Sequence, residues 1–426
     1  MDTWFSSALW TWSTLVDPAL AADFDLSFEE LLAKSRDFQT YHPTSVMETG
    51  WDILFFWVAR MILSTTYMTG QVPFKQVYLH GLVRTEHGKK MSKSDPETII
   101  DPLEVIPEFG TDALRFALVQ NMSAGNDQRL GRTKIVTNRN FCNKLWNIAR
   151  YIEDTIGDDF NKQEVKPVSA ADHWVLDKLR TSQESIGKDL DNFRFSEAYD
   201  TLYHFVWDDV ADWYIEASKA NPNKPLLAYL LEKILMLTHP FAPFLTETIW
   251  QTLAWEKDSI LASRVLQPII DSDRKHAKDF AELQAIITEI RLINNALKVS
   301  GVTLYFRDAS LIKENAAIIK RLARLKDVVD TAEGSGLNLT STKANCWLDI
   351  EPSVAQNYLK EIQGKRGQQV NVIKQLQARL DNENYIKNAP QSVVDQTKEQ
   401  LAAAEELLNT LEVEIQRFTT IHPTRS

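Results

Sequence analysis

Hydrophobic and polar positions along this chain change period from region to region. Val77, Leu79, Gly81 and Val83 alternate with Tyr78, His80, Leu82 and Arg84. A period of two with apolar residues on both faces predicts a buried strand. That strand leads into a polar loop, Glu86-His87-Gly88-Lys89-Lys90-Met91-Ser92-Lys93-Ser94-Asp95. A helix is expected over about residues 110 to 121, around Asp112-Ala113-Leu114-Arg115-Phe116. From residue 126 to 300 the spacing is helical. Leu202, Phe205, Val206, Val210 and Trp213 form one stripe, and Leu227, Leu230, Leu231, Ile234 and Leu235 another, ended by Pro240 and Pro243. A small unit follows, with a strand at 302–306, a helix at 315–325 and strand-like pieces ending in Trp347-Leu348-Asp349-Ile350.

The last region carries two matched stripes. Leu359, Ile362, Ile373, Leu376 and Leu380 share one face, interrupted by Arg366 and Gln369. Beyond a turn at Asn388-Ala389-Pro390, Val394, Leu401, Leu408 and Ile415 occupy one seam position, and Thr397, Ala404, Leu411 and Phe418 the other. Two such helices around a tight turn predict an antiparallel coiled coil. Residues 360–380 hold five basic residues and one acidic, whereas 391–418 hold two basic and six acidic. That polarity suits either charge pairing inside the hairpin or contact of the basic helix with a polyanion.

The fold class is therefore α/β followed by mainly α. Its regions are an α/β part over 1–125, a basic helical junction over 126–170, a helical bundle over 171–300, a small α/β unit over 301–350 and the coiled coil over 351–420. The 426 residues suit about three folded units. Only 14 Gly and 15 Pro exclude collagen-like and broadly disordered chains. Two cysteines exclude a disulfide framework and a four-cysteine zinc site. No His/Cys/Asp cluster has metal-ligand spacing, so no metal site is expected, and His173, His204 and His239 read as structural. Sparse cysteine, no signal peptide at Met1-Asp2-Thr3-Trp4-Phe5 and no membrane-length apolar run lead to a cytoplasmic expectation.

The net charge of −11 argues against a protein that coats nucleic acid nonspecifically, without excluding a local basic groove. Such a groove has a candidate in residues 128–151, where Arg129, Arg132, Lys134, Arg139, Lys144 and Arg150 stand with no acid. Its other reading is a solvated helix face. In the polar loop, three lysines and two hydroxyls within six residues can surround a polyphosphate. A lysine-rich loop is more often a solvated surface feature. The order Lys90-Met91-Ser92-Lys93-Ser94 after a strand changes that balance.

This loop resembles the KMSKS loop of class I aminoacyl-tRNA synthetases, and its neighbours are most similar to the valyl-tRNA synthetase family. They are Asp2-Thr3-Trp4-Phe5-Ser6-Ser7-Ala8-Leu9-Trp10, Thr49-Gly50-Trp51-Asp52-Ile53-Leu54-Phe55-Phe56-Trp57-Val58-Ala59-Arg60-Met61 and Arg139-Asn140-Phe141-Cys142-Asn143-Lys144-Leu145-Trp146-Asn147. Asp212-Trp213-Tyr214, His239-Pro240-Phe241-Ala242-Pro243-Phe244 and the segment from Asn382 to Pro390 continue the resemblance.

The resemblance implies the second part of a Rossmann-like catalytic fold, an anticodon-binding bundle and a tRNA-binding arm. It implies ATP, with Mg2+, as substrate, and valine and tRNA-Val as partners of a monomer. Lys93 and Lys90 become the catalytic lysines, set with Met91, Ser92 and Ser94 around ATP, and Gly81 and Val83 pass the adenine. Trp4 and Trp57 become the walls of an amino-acid pocket, though Trp57 also lies on an apolar stripe with Ile53 and Met61, so that core is its rival reading. The other ten tryptophans are expected in the core. Asp52 would face the adenylate, or merely stabilise a helix N-terminus. Arg129, Arg132, Lys134, Arg139 and Lys144 would follow the tRNA, as would Lys360, Lys365, Lys374 and Arg379 of the arm.

A class I site also needs a His-x-Gly-His element, which the eight histidines do not supply. The chain thus resembles a C-terminal portion, inactive alone. That leaves open a truncated gene, a fragment, or a partner in the form of a separate N-terminal half. The rival readings are another class I ligase for an aliphatic amino acid and a noncatalytic tRNA-binding protein.

Overall fold

The computed structural model describes residues 3–91, 100–158, 160–161, 163–253, 255, 261–332, 336–382, 385 and 391–421. The chain forms two compact units. One comprises Met1–Lys166, Lys178–Ile215 and Asn223–Ile270; the other comprises Pro167–Asp177, Glu216–Pro222 and Asp271–Ser426. Among the described residues no helix is long and apolar enough to cross a membrane.

The first unit opens with α1 (Thr3–Ser13) and three short helices, of which Phe28–Lys34 carries a capping box between Ser27 and Glu30. Strand β1 (Thr44–Gly50) leads through a 3-10 turn at Trp51–Ile53 and a π-turn at Leu54–Val58 into α2 (Ala59–Thr69). Gly70, at φ 70°, ends that helix in the left-handed region, and β2 (Phe74–His80) follows. β1 and β2 pair in parallel, from Thr44 opposite Phe74 to Gly50 opposite His80. Met47, Val58, Met61 and Phe74 form the core of this part, with Leu54 and Trp57 packed against them.

The expected strand over 77–83 is broken. β2 ends at His80, and a separate β3 (Val83–Thr85) pairs in parallel with β4 (Gln128–Leu130). The break lies at Gly81, where a Cβ would sit 1.7 Å from the carbonyl oxygen of Asn126, so only glycine lets the two backbones cross. Nor is β2 buried: Lys75, Gln76 and Val77 are exposed.

Between β3 and β4 lie α3 (Pro102–Phe109) and α4 (Thr111–Val119). Val105, Phe109, Ala113, Leu114 and Ala117 from these helices pack with Leu130 and with Ile135 of α5 (Arg132–Ile156). The bundle continues with α6 (Ala170–Asp191), α7 (Phe195–His204), α8 (Lys224–Thr238) and α9 (Pro243–Thr252). After α7 the stripe expected to be α-helical winds as a π-helix over Phe205–Tyr214, closed by the Ile215 N–H reaching back to the Val210 carbonyl. Asp112 and Arg115 of α4 grip the approach to α9. The Asp112 carboxylate accepts the N–H of Leu245, and Arg115 donates to the carbonyls of Phe241 at 2.9 Å and Pro240 at 3.2 Å.

In the second unit, α10 (Arg274–Leu297) precedes a four-stranded sheet of order β6-β5-β8-β7. Its strands are β5 (Thr303–Arg307), β6 (Asp327–Asp330), β7 (Leu337–Asn338) and β8 (Asn345–Leu348), with the short helices α11 (Ser310–Glu314) and α12 (Ala316–Leu322) between β5 and β6. Buried Glu289 of α10 accepts both the N–H and the hydroxyl of Thr340 and the N–H of Ser341, pinning the loop before β8. Compactness groups α10 with the small sheet and the hairpin in this second unit.

The hairpin forms as expected from α13 (Pro352–Leu380) and α14 (Gln391–Ile421). Thr397, Ala404, Leu411 and Phe418 are buried along with Ile362, Ile373 and Leu376. Arg366 and Gln369 do not leave the interruption empty. Arg366 donates twice to Glu412, at 2.7 and 3.0 Å, and Gln369 donates to the Ala404 carbonyl at 3.1 Å. The turn at Asn388-Ala389-Pro390 lies outside the described residues.

Candidate functional site

The chain around the polar loop is organised by Asp127. One carboxylate oxygen accepts the N–H of Leu82 at 2.8 Å and the indole N–H of Trp51 at 3.0 Å; the other accepts from Arg84. Stabilised by Trp51, Leu82 and Arg84, the carboxyl is held down at about 2. The crossing beside Gly81 is closed by Gln128 N–H to the Leu82 carbonyl and Gly125 N–H to the Leu79 carbonyl. His80 sits at the end of β2 with Nδ1 2.9 Å from the Gly81 carbonyl and Nε2 3.3 Å from Glu48. Asp52 folds back over Gly50: its Oδ1 lies 2.6 Å from where a Gly50 Cβ would be.

From this base the loop rises as a tight turn. Gly88, at φ 80°, donates to the Thr85 carbonyl, and Thr85 donates to the Lys89 carbonyl. Lys90 thereby lies opposite Arg84, with Lys89 and Lys90 exposed, while Met91 packs on the apolar cluster of α3, α4 and α5. Ser92, Lys93 and Ser94 lie outside the described residues.

The two tryptophans assigned to an amino-acid pocket have different neighbours. Trp57 lines a cavity of about 330 Å3 with Ser6, Ser7, Trp10 and Met61, and also packs on the β1–β2 core. Trp4 does not line it; its ring lies 6.3 Å from Phe56, under the Arg60 guanidinium. The expectation that the other ten tryptophans are core holds for Trp174, Trp250 and Trp347 and fails for Trp10, Trp51 and Trp146, which are exposed. Trp10 turns to the cavity and Trp51 to Asp127, so each has a surface task.

Most of the basic residues on α5 already have intramolecular partners. Arg132 bonds to Glu108 at 2.8 Å, and Lys144 bonds to Asp212 at 2.9 Å while capping the Trp207 ring. Lys134 donates to the Gln120 carbonyl, and burial pushes its pKa down to about 8. Arg139 lies over Phe109. Arg129 and Arg150 are exposed. In the arm, Lys365 pairs with Glu361 at 2.7 Å, whereas Lys360, Lys374 and Arg379 have no ion-pair partner among the described residues. The three histidines have structural contacts: His173 with Asp273, His204 with Asp208 and His239 with Thr246.

Reading the sequence missed Asp127, Trp51, Arg84 and Trp10. The available signal for Asp127 was its position as the last acid before the basic stretch.

Comparison with known proteins gives three matches in order along the chain. Residues 1–131 match the family "tRNA synthetases class I (I, L, M and V)", 172–303 the "anticodon-binding domain of tRNA ligase" and 360–419 the "valyl tRNA synthetase tRNA binding arm". The valine–tRNA ligase of Staphylococcus saprophyticus is 34% identical over 447 residues, covering 98% of this chain and 49% of that protein. That of Lactiplantibacillus plantarum is 36% identical over 430 residues, covering 94% and 47%. The crystal structure of the LeuRS-tRNA-LeuAMS ternary complex of Agrobacterium radiobacter K84 agnB2 shares the fold at a TM-score of 0.51 and 18% identity, over 72% of this chain and 35% of that one. This chain spans about half the length of the curated relatives it matches. The three matched segments lie in sequence order, and over 94–98% of its length the chain is similar to the valine–tRNA ligases of these two bacteria.

Proposed function

We propose that this chain carries the lysine loop, anticodon-binding bundle and arm of a valine–tRNA ligase. The reaction joins valine to ATP as valyl-adenylate, releases pyrophosphate, and transfers the valyl group to tRNA-Val. The observation that supports this most is the turn from Thr85 to Lys90, which presents exposed lysines just beyond parallel strands, where open α/β folds bind their ligands. Lys90 and Lys93 would meet the charge that develops on the leaving pyrophosphate. Met91 anchors the loop, Ser92 and Ser94 add donors, and Gly81 and Val83 form the backbone edge along which adenine lies. Mg2+ enters as the counterion of ATP, as part of the substrate.

Trp57 walls the valine side chain, with Trp4 on the outer side, and Asp52 faces the adenylate. For tRNA, Arg129 and the arm residues Lys360, Lys374 and Arg379 make the primary phosphate contacts. Arg132, Lys134, Arg139, Lys144 and Lys365 contribute only by exchanging their present partners. The location is the cytoplasm and the chain is monomeric towards its own copies. Alone, it binds tRNA without charging it, because its eight histidines supply no His-x-Gly-His element.

The test is valine-dependent exchange of pyrophosphate into ATP, run on the chain with an added N-terminal half. Exchange that depends on both pieces and on valine supports the reading. Tight tRNA-Val binding with no exchange under any supplementation leaves the noncatalytic alternative.

A further inference from the structure

A second cavity opens where α4, the corner between α6 and α7 and the segment between α8 and α9 meet, all inside the first compact unit. It measures about 290 Å3, and Leu118, Met122, Leu190, Phe195 and Phe241 give it apolar walls. Among the described residues that line it, Arg115 alone is charged. It shares no residue with the lysine loop or with the cavity beside Trp57.

Arg115 is exposed, and its charge is uncompensated. Its Nε and Nη2 donate to the neutral carbonyls of Phe241 and Pro240, and among the described residues the guanidinium makes no ion pair. Asp112, one turn earlier on α4, is buried, and its carboxylate accepts the N–H of Leu245 instead. An arginine fixed by neutral acceptors keeps its charge for an anion, and a planar guanidinium suits a carboxylate.

The backbone around the cavity is held in sparsely populated conformations. Phe193 has φ 57°, in the left-handed region that bulky residues avoid. Its ring and that of Tyr78 lie 6.1 and 5.5 Å from the ring of Phe195, which is thereby braced by two neighbours. Asn121, beside Met122, has φ 59°, and its N–H donates to the Ser196 hydroxyl on α7 at 2.9 Å. Backbone held in this way clusters at ligand clamps.

We propose that this cavity is a binding site for a small aryl carboxylate, with the ring among the apolar walls and the anionic end at Arg115. The rings of Phe195 and Phe241 favour an aromatic body. An apolar cavity of about 150 Å3 already holds benzene, so this one has room for a ring and a short chain. A free amino acid is a poorer occupant, because no described lining carboxylate would receive its ammonium. An inorganic anion is poorer still, since it would leave the apolar walls uncovered.

The experiment titrates the full chain with 4-phenylbutyrate by calorimetry and maps the bound state by amide hydrogen exchange. The expected result is saturable one-to-one binding with a Kd of about 1 mM or tighter, and new protection in 115–122 and 190–196. The uncharged 4-phenylbutanamide should bind about tenfold more weakly. Met122→Trp, which fills the cavity, should weaken phenylbutyrate binding by about tenfold or more. Phe24→Trp, at a position 95% exposed and outside the cavity, should not. Absence of saturable binding overturns the proposal, and so does protection confined to other segments. Equal affinities for acid and amide, or undiminished binding by Met122→Trp, overturn it as well. The comparison of acid with amide needs no substitution, so it decides the matter even where Met122→Trp fails to fold.

Discussion

The carboxylate of Asp112 accepts the backbone N–H of Leu245, 133 residues further along the chain. It thereby ties the Asp-Ala-Leu-Arg helix to the His-Pro-Phe-Ala-Pro-Phe segment, two motifs that look unrelated in sequence. A buried carboxylate at the start of α9 also supplies the negative charge that a helix N-terminus favours. Burial nonetheless pushes the Asp112 pKa up, only partly countered by the N–H groups of Leu245 and Phe244.

Asp112 and Asp127 should therefore respond to pH with opposite signs. Asp127 is depressed to about 2, so its contribution is present above the ordinary aspartate range and is lost as pH falls towards 2. Asp112 is raised, so its contribution is full at low pH and declines as pH rises through its elevated pKa. Urea unfolding of wild type, Asp112→Asn and Asp127→Asn between pH 3 and 6 should show the Asp127 difference growing with pH and the Asp112 difference shrinking. Parallel slopes would mean that neither group titrates as its surroundings dictate.

In the reconstituted enzyme, Lys93→Ala should slow pyrophosphate exchange by about a hundredfold, with a smaller change in valine KM, because one lost donor to developing charge costs on the order of 3 kcal/mol. Lys90→Ala should follow with a smaller loss. Exchange rates that stay at the wild-type value would remove the loop from the chemistry.

Trp57→Ala should raise the valine KM and relax side-chain selectivity, since this ring borders the cavity near Ser6 and Ser7. It should also cost about 3 kcal/mol of stability, since the same ring packs on the β1–β2 core. Trp4→Ala, on an exposed ring, tests the second assignment with little stability cost. Unchanged valine kinetics in both variants would leave the two tryptophans as packing alone.

Neutralising Lys360, Lys374 and Arg379 to Gln should weaken tRNA binding and flatten its log–log salt slope by up to about 3. Lys365→Gln should do less, because that ammonium already holds Glu361. Valine-dependent exchange should be untouched. Equal slopes in wild type and triple variant would confine the basic helix to a structural role.

Glu289→Ala should destabilise the second unit by about 3 kcal/mol, since it strips three hydrogen bonds from Thr340 and Ser341. Differential hydrogen exchange should report the loss first in residues 337–348. A global loss with no local onset would argue against the pin.

The arm was legible because its information is local. The seam from Thr397 to Phe418 needs only its own spacing, and all four of its members are buried. The strand at 77–83 was not, since what interrupts it is a carbonyl at Asn126 that no periodicity reports. The π-winding after α7 escaped as well, because positions 202, 205, 206 and 210 fit an α stripe just as well. The lysine loop was legible by its order, yet Asp127, which bonds to three of the segments around that loop, carries no motif. On α5 the charges were visible, but their pairing to Glu108 and Asp212 was not.

The π-winding at Phe205–Tyr214 bears on how this stretch tolerates a change in length. Deleting a residue from an α-helix swings everything beyond it by about 100°. A π-turn is an α-turn carrying one residue extra, so the same deletion there relaxes the winding and leaves the phase of the following helix nearly unchanged. Removal of Asp208, an exposed position in that winding, should therefore cost far less in thermal stability than removal of Glu232 from α8, where Leu230 and Leu231 before it and Ile234 and Leu235 after it are all buried. This segment is slack held in reserve, a place where the bundle can shorten without losing its register.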